Sequence, residues 1–235
     1  MIRGFLSDVH GNVEALQEAL KLLRAEGASE IYFLGDCVGY LPGVTALSAL
    51  IHSDVKSIRG NHEAMLLAGN VDAEREKLYR FDDTRAEMTP GQRDAVAQWP
   101  ASRAIPTRSG PLLLVHGSPR DPTFEYVQPD SSLDDFQVER GTTVFMGHTH
   151  RAFIRTTHGE VRYVNVGSCA MPRDVAGIGT VAVHDDDSGE VRMLRFDIRS
   201  LVEAALARCK GVHPNVLAAL RRRADVAPAG DCIGD

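Results

Sequence analysis

The sequence predicts an α/β protein, and three observations carry that expectation. Apolar strand-like runs alternate with helical periodicity over the first sixty residues, short strand-like runs separated by Gly, Asp and Ser follow residue 110, and five of these runs end in Asp, Asn or His.

Ile2 to Leu6 reads as a short buried strand, and Val13, Leu16, Leu20 and Leu23 follow at helical spacing until Gly27. Residues 31–34 read as a second strand, 44–51 as a helix and 55–58 as a third strand, so βαβ units predict a largely parallel first sheet. From about Glu63 to Trp99 the chain turns helical and more polar, with Thr89-Pro90 marking one helix start; residues 64–99 form a candidate lid. Runs at 112–115, 143–146, 152–156, 161–164, 180–183 and 191–196 predict a second sheet packed on the first. Ser200 and Glu203 have capping-box spacing, and His213-Pro214 opens another helix. One domain over 1–225 with a tail at 226–235 is expected, without internal repeats or low-complexity stretches.

The chain has 235 residues, 43% hydrophobic and 25% charged, enough for a sizeable core. Its first residues lack the pattern of a signal peptide, and no apolar run approaches the roughly 18 residues of a membrane span. The expectation is a soluble cytoplasmic protein without membrane contact. Cys37, Cys169, Cys209 and Cys232 are scattered, as expected of reduced thiols. A net charge of −6 argues against a stable nucleic-acid footprint, leaving a small phosphorylated substrate, a nucleotide included. Arg221, Arg222 and Arg223 read as a solvated helix face. Oligomeric state is left open, homo-oligomers included.

The chemistry lies where the strands end. Residues 5–7 lead to Asp8 and His10, 31–35 to Asp36, 55–60 to Asn61 and His62, 112–115 to His116, and 144–147 to His148 and His150. In open α/β sheets the crevice lies outside the carboxyl ends of the strands, where all five sets converge. If the backbone stays extended, Asp8 and His10 share one side. Two Asp, one Asn and four His with no thiolate suit manganese, iron, cobalt or zinc better than calcium. Seven side chains exceed one ordinary site, whereas a bridging carboxylate would let two ions about 3.5–4 Å apart share them.

Asp8-x-His10-Gly11-Asn12, Gly35-Asp36, Gly60-Asn61-His62-Glu63, His116 and Gly147-His148-x-His150 resemble, in order, the signature of the calcineurin-like metallophosphoesterase superfamily. Residues 35–40, 116–122, 165–168 and 172–174 are similar to a compact bacterial phosphodiesterase group within it. The resemblance implies two mixed sheets face to face with flanking helices, a four-layer α/β/β/α sandwich. It implies one ion on Asp8, His10, Asp36 and His150, and a second on Asp36, Asn61, His116 and His148, with Asp36 bridging. The ions are expected to be manganese first, with iron, zinc, nickel or cobalt as alternatives. The implied activity is hydrolysis of a phosphodiester, phosphomonoester or nucleotide phosphoanhydride by a metal-bridging hydroxide, with His62 facing the substrate and Arg59 a weaker candidate for a phosphate contact. A protein Ser/Thr phosphatase and a non-catalytic binding module of the same fold are the alternatives.

Blander readings apply to other residues. Glu63 reads as a helix-start carboxylate, Cys37 as core packing, and His52, His158, His184 and His213 as surface residues. Gly11, Gly35, Gly60 and Gly147 are expected where the backbone turns sharply. Tyr40, Phe124 and Tyr126 divide evenly between stacking on a nucleobase and packing a lid or subunit contact. Leu41 and Val166 stand where the similar group has glycine and proline, which bears on the pocket outline but on no ligand.

Overall fold

Five strands pair into one sheet in a computed structural model that describes residues 1–223: β1 (Ile2–Leu6), β2 (Glu30–Phe33), β3 (Lys56–Ser57), β9 (Ile178–Asp185) and β10 (Val191–Asp197), ordered β10-β9-β1-β2-β3. β1, β2 and β3 are parallel, as the βαβ reading predicts, while β9 and β10 run antiparallel at the other edge. The second sheet holds β4 (Ser102–Ile105), β5 (Leu112–Val115), β6 (Thr143–Met146), β7 (Phe153–Thr156) and β8 (Arg162–Asn165), ordered β4-β5-β6-β8-β7 and likewise mixed. The expected tail at 226–235 and Cys232 lie outside the described residues.

Side-chain alternation explains why the sheets stack. Along β1, β2 and the residue after it, Phe5, Tyr32 and Leu34 enter the layer between the sheets, while Leu6, Ile31 and Phe33 enter the layer behind the first sheet. From the second sheet, Leu112, Leu114, Phe145 and Val164 meet them; the rings of Phe5 and Phe145 stack at 3.8 Å and 9°. Removing either ring would cost about 3–5 kcal/mol.

Behind the first sheet lie α1 (Val13–Ala25), α2 (Thr45–Ile51), α7 (Arg199–Arg208) and α8 (Pro214–Leu220), with α3 (Asn61–Ala68), α4 (Ala73–Tyr79), α5 (Phe81–Glu87) and α6 (Pro90–Ala97) joining the same apolar cluster. The Asn12 side chain accepts from the Ala15 N–H to start α1, whose buried face includes Leu16, Leu20 and Leu23. Val127 and Leu133 from the irregular chain between β5 and β6 cover the outer face of the second sheet.

Four local expectations change. The runs at 180–183 and 191–196, expected in the second sheet, are β9 and β10 of the first, because β9 pairs antiparallel with β1 and β10 with β9. The sequence pattern does not predict β4, because Ser-Arg-Ala-Ile carries only one strong strand former; edge pairing with β5 makes it a strand. Ser200 and Glu203 form no capping box: the N-cap of α7 is Ile198, two residues earlier, with the Asp197 carboxylate accepting the Arg199 N–H at 2.9 Å. His184 is not a surface residue but 1% exposed, since β9 is covered on both faces, and its Nδ1 lies 3.3 Å from Asp186. Among the described residues no helix is long and apolar enough to cross a membrane.

Candidate metal centre

All five strand-end segments meet at one end of the two sheets. Asp8, His10 and His150 bring ligating atoms within 4.8 Å of one another, as do Asp36, His116 and His148, and His10, Asp36 and His62; every one of these residues is buried. Asp36 joins the first three to the second. Its Oδ2 lies 3.2 Å from His116 Nε2 and 3.9 Å from both His10 Nε2 and His62 Nε2. Asn61 stands beside the second group, its Oδ1 3.0 Å from His116 Nε2.

The way these side chains converge differs from the expected extended alternation. Asp8, His10, Asp36, His148 and His150 all adopt left-handed backbone, with φ of 58°, 46°, 64°, 68° and 58°. Such conformations are costly for non-glycine residues and persist where surrounding structure over-determines them. Here backbone hydrogen bonds hold them: Asp8 N–H donates to Gly35 O at 3.0 Å, and His10 N–H to Asp36 O at 3.0 Å. Gly60 and Gly147 do not turn the chain through positive φ; they make space, because a Cβ at Gly60 would overlap the Asp36 carboxylate and one at Gly147 would come within 2.6 Å of Asp8 Oδ2.

Hydrogen bonds behind the ligands assign the imidazole tautomers. Nδ1–H of His10 donates to Val38 O at 3.2 Å, that of His116 to Leu34 O at 2.8 Å and that of His150 to Met171 O at 2.6 Å, turning each Nε2 toward the cluster. His148 is reversed: its Nε2–H donates to Phe124 O at 3.1 Å, freeing Nδ1. Acceptors therefore face acceptors. His10 and His150 bring their Nε2 atoms to 3.1 Å, and buried Asp8 Oδ1 accepts no hydrogen bond. Only protons or cations resolve such a set, so carboxylates, an amide oxygen and imidazoles at these positions fit divalent metal ions.

The charge states agree. Burial opposes ionising Asp8, but His150 and His116 outweigh it and pull the carboxyl down to about 2; Asp36 is likewise held well below the usual carboxylate range by His116 and His62 against the cost of burial. Burial also opposes charging His116, yet Asp36 pushes it up to about 9. Burial drives His148 down to about 3, His62 to about 4, and His10 well below its ordinary value.

Glu63 does more than start a helix. Its buried carboxylate accepts the backbone N–H groups of Asp36 at 2.8 Å, Cys37 at 2.7 Å, Val38 at 3.3 Å and Gly60 at 2.9 Å, tying together the two loops that carry Asp36 and Asn61. Ser168 Oγ donates to Asp8 O at 2.7 Å, and Asn165 Nδ2 to Gly147 O at 2.6 Å. The position of Glu63 next to Asn61-His62 is the one sequence signal for its role; Asn165 and Ser168 bound a segment that the resemblance marks, but nothing in the sequence assigns them these contacts. Cys37 packs in the apolar core, as expected.

His62 is walled by Tyr79 and Phe81 from the helical segment expected as a lid, with ring centroids at 4.5 and 5.5 Å. Tyr40 is buried edge-on to His10 at 4.6 Å, and its hydroxyl accepts from Arg173 at 3.5 Å; Arg173 N–H donates to His150 O at 2.9 Å. Arg59 stands apart. Its N–H donates to Pro100 O at 2.8 Å, its Nε is buried without a hydrogen-bond partner, and among the described residues no hydrogen bond or ion pair joins its side chain to the cluster.

A family model described as the calcineurin-like phosphoesterase superfamily domain matches residues 1–189. An uncharacterised protein of Methanocaldococcus jannaschii is 25% identical over 224 residues, covering 84% of this chain and 89% of its own. Among solved structures, a metallophosphoesterase from Sphaerobacter thermophilus superposes with a TM-score of 0.74 at 22% identity, covering 94% of this chain and 98% of that one. A hypothetical protein from Pyrococcus horikoshii superposes with a TM-score of 0.76 at 19% identity, covering 95% and 99%. At these identities the two structures speak for the fold.

Proposed function

Because the chain belongs to the calcineurin-like phosphoesterase superfamily, we propose that it hydrolyses a phosphodiester, phosphomonoester or nucleotide phosphoanhydride at a centre holding two divalent metal ions, manganese foremost. The observation that carries this reading is Asp36 Oδ2, which faces imidazole nitrogens of His10, His62 and His116 and stands between two ligand groups.

One ion would take Asp8, His10, Asp36 and His150, and the other Asp36, Asn61, His116 and His148. When bound, such a pair supplies Lewis acidity to a phosphoryl oxygen and acidifies water toward neutral pH. The chain's own residues position and polarise. Glu63, Ser168 and Asn165 hold the ligand loops in their left-handed turns. His62 is neutral at pH 7, since burial lowers it to about 4, so it brings one N–H to donate to a phosphoryl or leaving-group oxygen and no net charge. Tyr79 and Phe81 limit water on its far side.

The test is hydrolysis of bis(p-nitrophenyl) phosphate and p-nitrophenyl phosphate by chelator-stripped protein. Manganese, zinc, nickel and magnesium are each re-supplied, beside an Asp36→Asn control. Turnover restored by metal in the parent and absent in the control supports the reading; two bound ions with no turnover of either ester would favour a binding module.

A further inference from the structure

α7 lies beyond residues 1–189, the span that the family model matches, yet its last residue and the chain just after it touch three segments that build the metal centre. Arg208 Nη2 donates to Gly11 O at 3.0 Å, in the turn that carries His10. Cys209 Sγ donates to Pro42 O at 3.8 Å, in the loop that follows Asp36. Gly211 O accepts from Arg80 Nη1, and Arg80 joins Tyr79 to Phe81, the two rings that wall His62.

Of these contacts the one from Arg208 acts closest to a metal ligand. Its Nε and Nη2 also donate to the two oxygens of Glu14, each at 3.2 Å, in the first turn of α1. A planar guanidinium fixes the directions of its donors, so this anchor sets where Nη2 points. With side chains 31% and 23% exposed, the Arg208–Glu14 pair adds little stability by itself. Its consequence is positional.

The Gly11 turn is held on several sides. Its N–H donates to Cys37 O at 2.7 Å, and its carbonyl accepts from Val13 N–H at 3.1 Å as well as from Arg208. At a φ of 78°, a Cβ on Gly11 would come within 2.3 Å of Leu41 O, so the turn is pressed against the loop that follows Asp36. His10 precedes this glycine with a left-handed φ of 46°, and its Nε2 lies 3.8 Å from Asp8 Oδ1 and 3.9 Å from Asp36 Oδ2. A shift of the Gly11 peptides therefore moves the imidazole relative to both carboxylates.

We infer that Arg208 is a positioning residue for the ion held by Asp8, His10, Asp36 and His150, keeping the Gly11 turn in the pose that aims His10. The inference rests on the two-ion reading above and predicts an asymmetry, because His10 serves one ion and not the other. A brace of the fold alone would weaken both ions or neither.

Manganese binding to chelator-stripped protein is followed by calorimetry, beside urea unfolding of each metal-free sample. Arg208→Gln should weaken one ion about 10–100-fold and leave the other unchanged. Arg208→Lys, which keeps the charge but loses the fork, should recover part of that loss and serves as the test if the glutamine variant does not fold. Glu203→Gln, which removes the pair with Arg221 on the same helix, should bind both ions as the parent does. Combined with His10→Ala, Arg208→Gln should weaken the affected ion no further than His10→Ala alone, since the two act through one ligand. Parent-like affinity for both ions in the Arg208 variants, equal weakening of both, or full additivity with His10→Ala overturns the positioning role while the two-ion reading stands. A parent protein that binds no manganese removes both.

Discussion

The Glu63 carboxylate accepts the Asp36 backbone N–H at 2.8 Å, and three further N–H groups crowd onto the same two oxygens. This contact fixes the turn that aims the Asp36 side chain between the two ligand groups. Glu63→Gln replaces one acceptor oxygen with an NH2 group facing donors. The expected outcome is a 10–100-fold loss of metal affinity and about 1–3 kcal/mol of stability, read by metal titration and urea unfolding. Unchanged affinity would reduce Glu63 to a helix-start carboxylate.

Asp36→Asn removes the charge shared by both groups. Elemental analysis after dialysis should find the metal content reduced at both positions, since Asp36 Oδ2 faces His10 and His116 alike. Loss of one ion with full retention of the other would exclude a bridging role.

Gly39 has a φ of 89°, and a Cβ there would overlap His62 Nδ1. Gly39→Ala should push His62 out of place while the metal ligands stay, lowering kcat by about 10²–10⁴-fold, the range typical of a lost proton-transfer or hydrogen-bonding group. Metal content, measured on the same sample, should stay at the parent level.

Metal uptake at pH 7 should release protons. In the metal-free protein Asp36 holds His116 protonated, with a pKa pushed to about 9 against the cost of burial, and its Nε2 must lose that proton to ligate. Titration calorimetry in two buffers of different ionisation enthalpy should give apparent enthalpies that differ by about one proton. Buffer-independent enthalpies would contradict this assignment.

The metal-free protein should lose stability as the pH falls below about 6.5. His10, His62 and His148 are depressed by burial, so the unfolded chain takes up protons there that the folded chain refuses. Glu63, raised to about 7 by burial and Asp36, works the other way between about 4.5 and 7, but it is one group against three. A net fall of about 1–3 kcal/mol per pH unit is expected in urea unfolding between pH 6.5 and 5. His116 reverses the sign above 6.5: its stabilising contribution declines as pH rises toward 9, so metal-free stability should peak near pH 6.5.

What could be read from the sequence were the features written in local pattern. The short apolar runs of β1, β2, β5 and β6 and the helical spacing of α1 predicted the α/β class and the two stacked sheets, while the layer each strand residue enters came from the fold. Chemical type at the strand ends points to a hard or borderline cation. Tertiary structure decided the rest, because it depends on groups distant in sequence. His184 became buried only when β9 and β10 joined β1. Asp and His tolerate left-handed backbone better than most residues, but which of them adopt it is set by distant partners: Asp8 N–H donates to Gly35 O, His10 N–H to Asp36 O, Asp36 N–H to Glu63 and His148 N–H to Asp8 Oδ2, while His150 O accepts from Arg173 N–H. The histidine tautomers likewise follow from the carbonyls of Val38, Leu34, Met171 and Phe124, which only the folded chain brings within reach. Local pattern sets which side chains favour burial or a cation, but direction in space comes from hydrogen bonds that close over long stretches of chain.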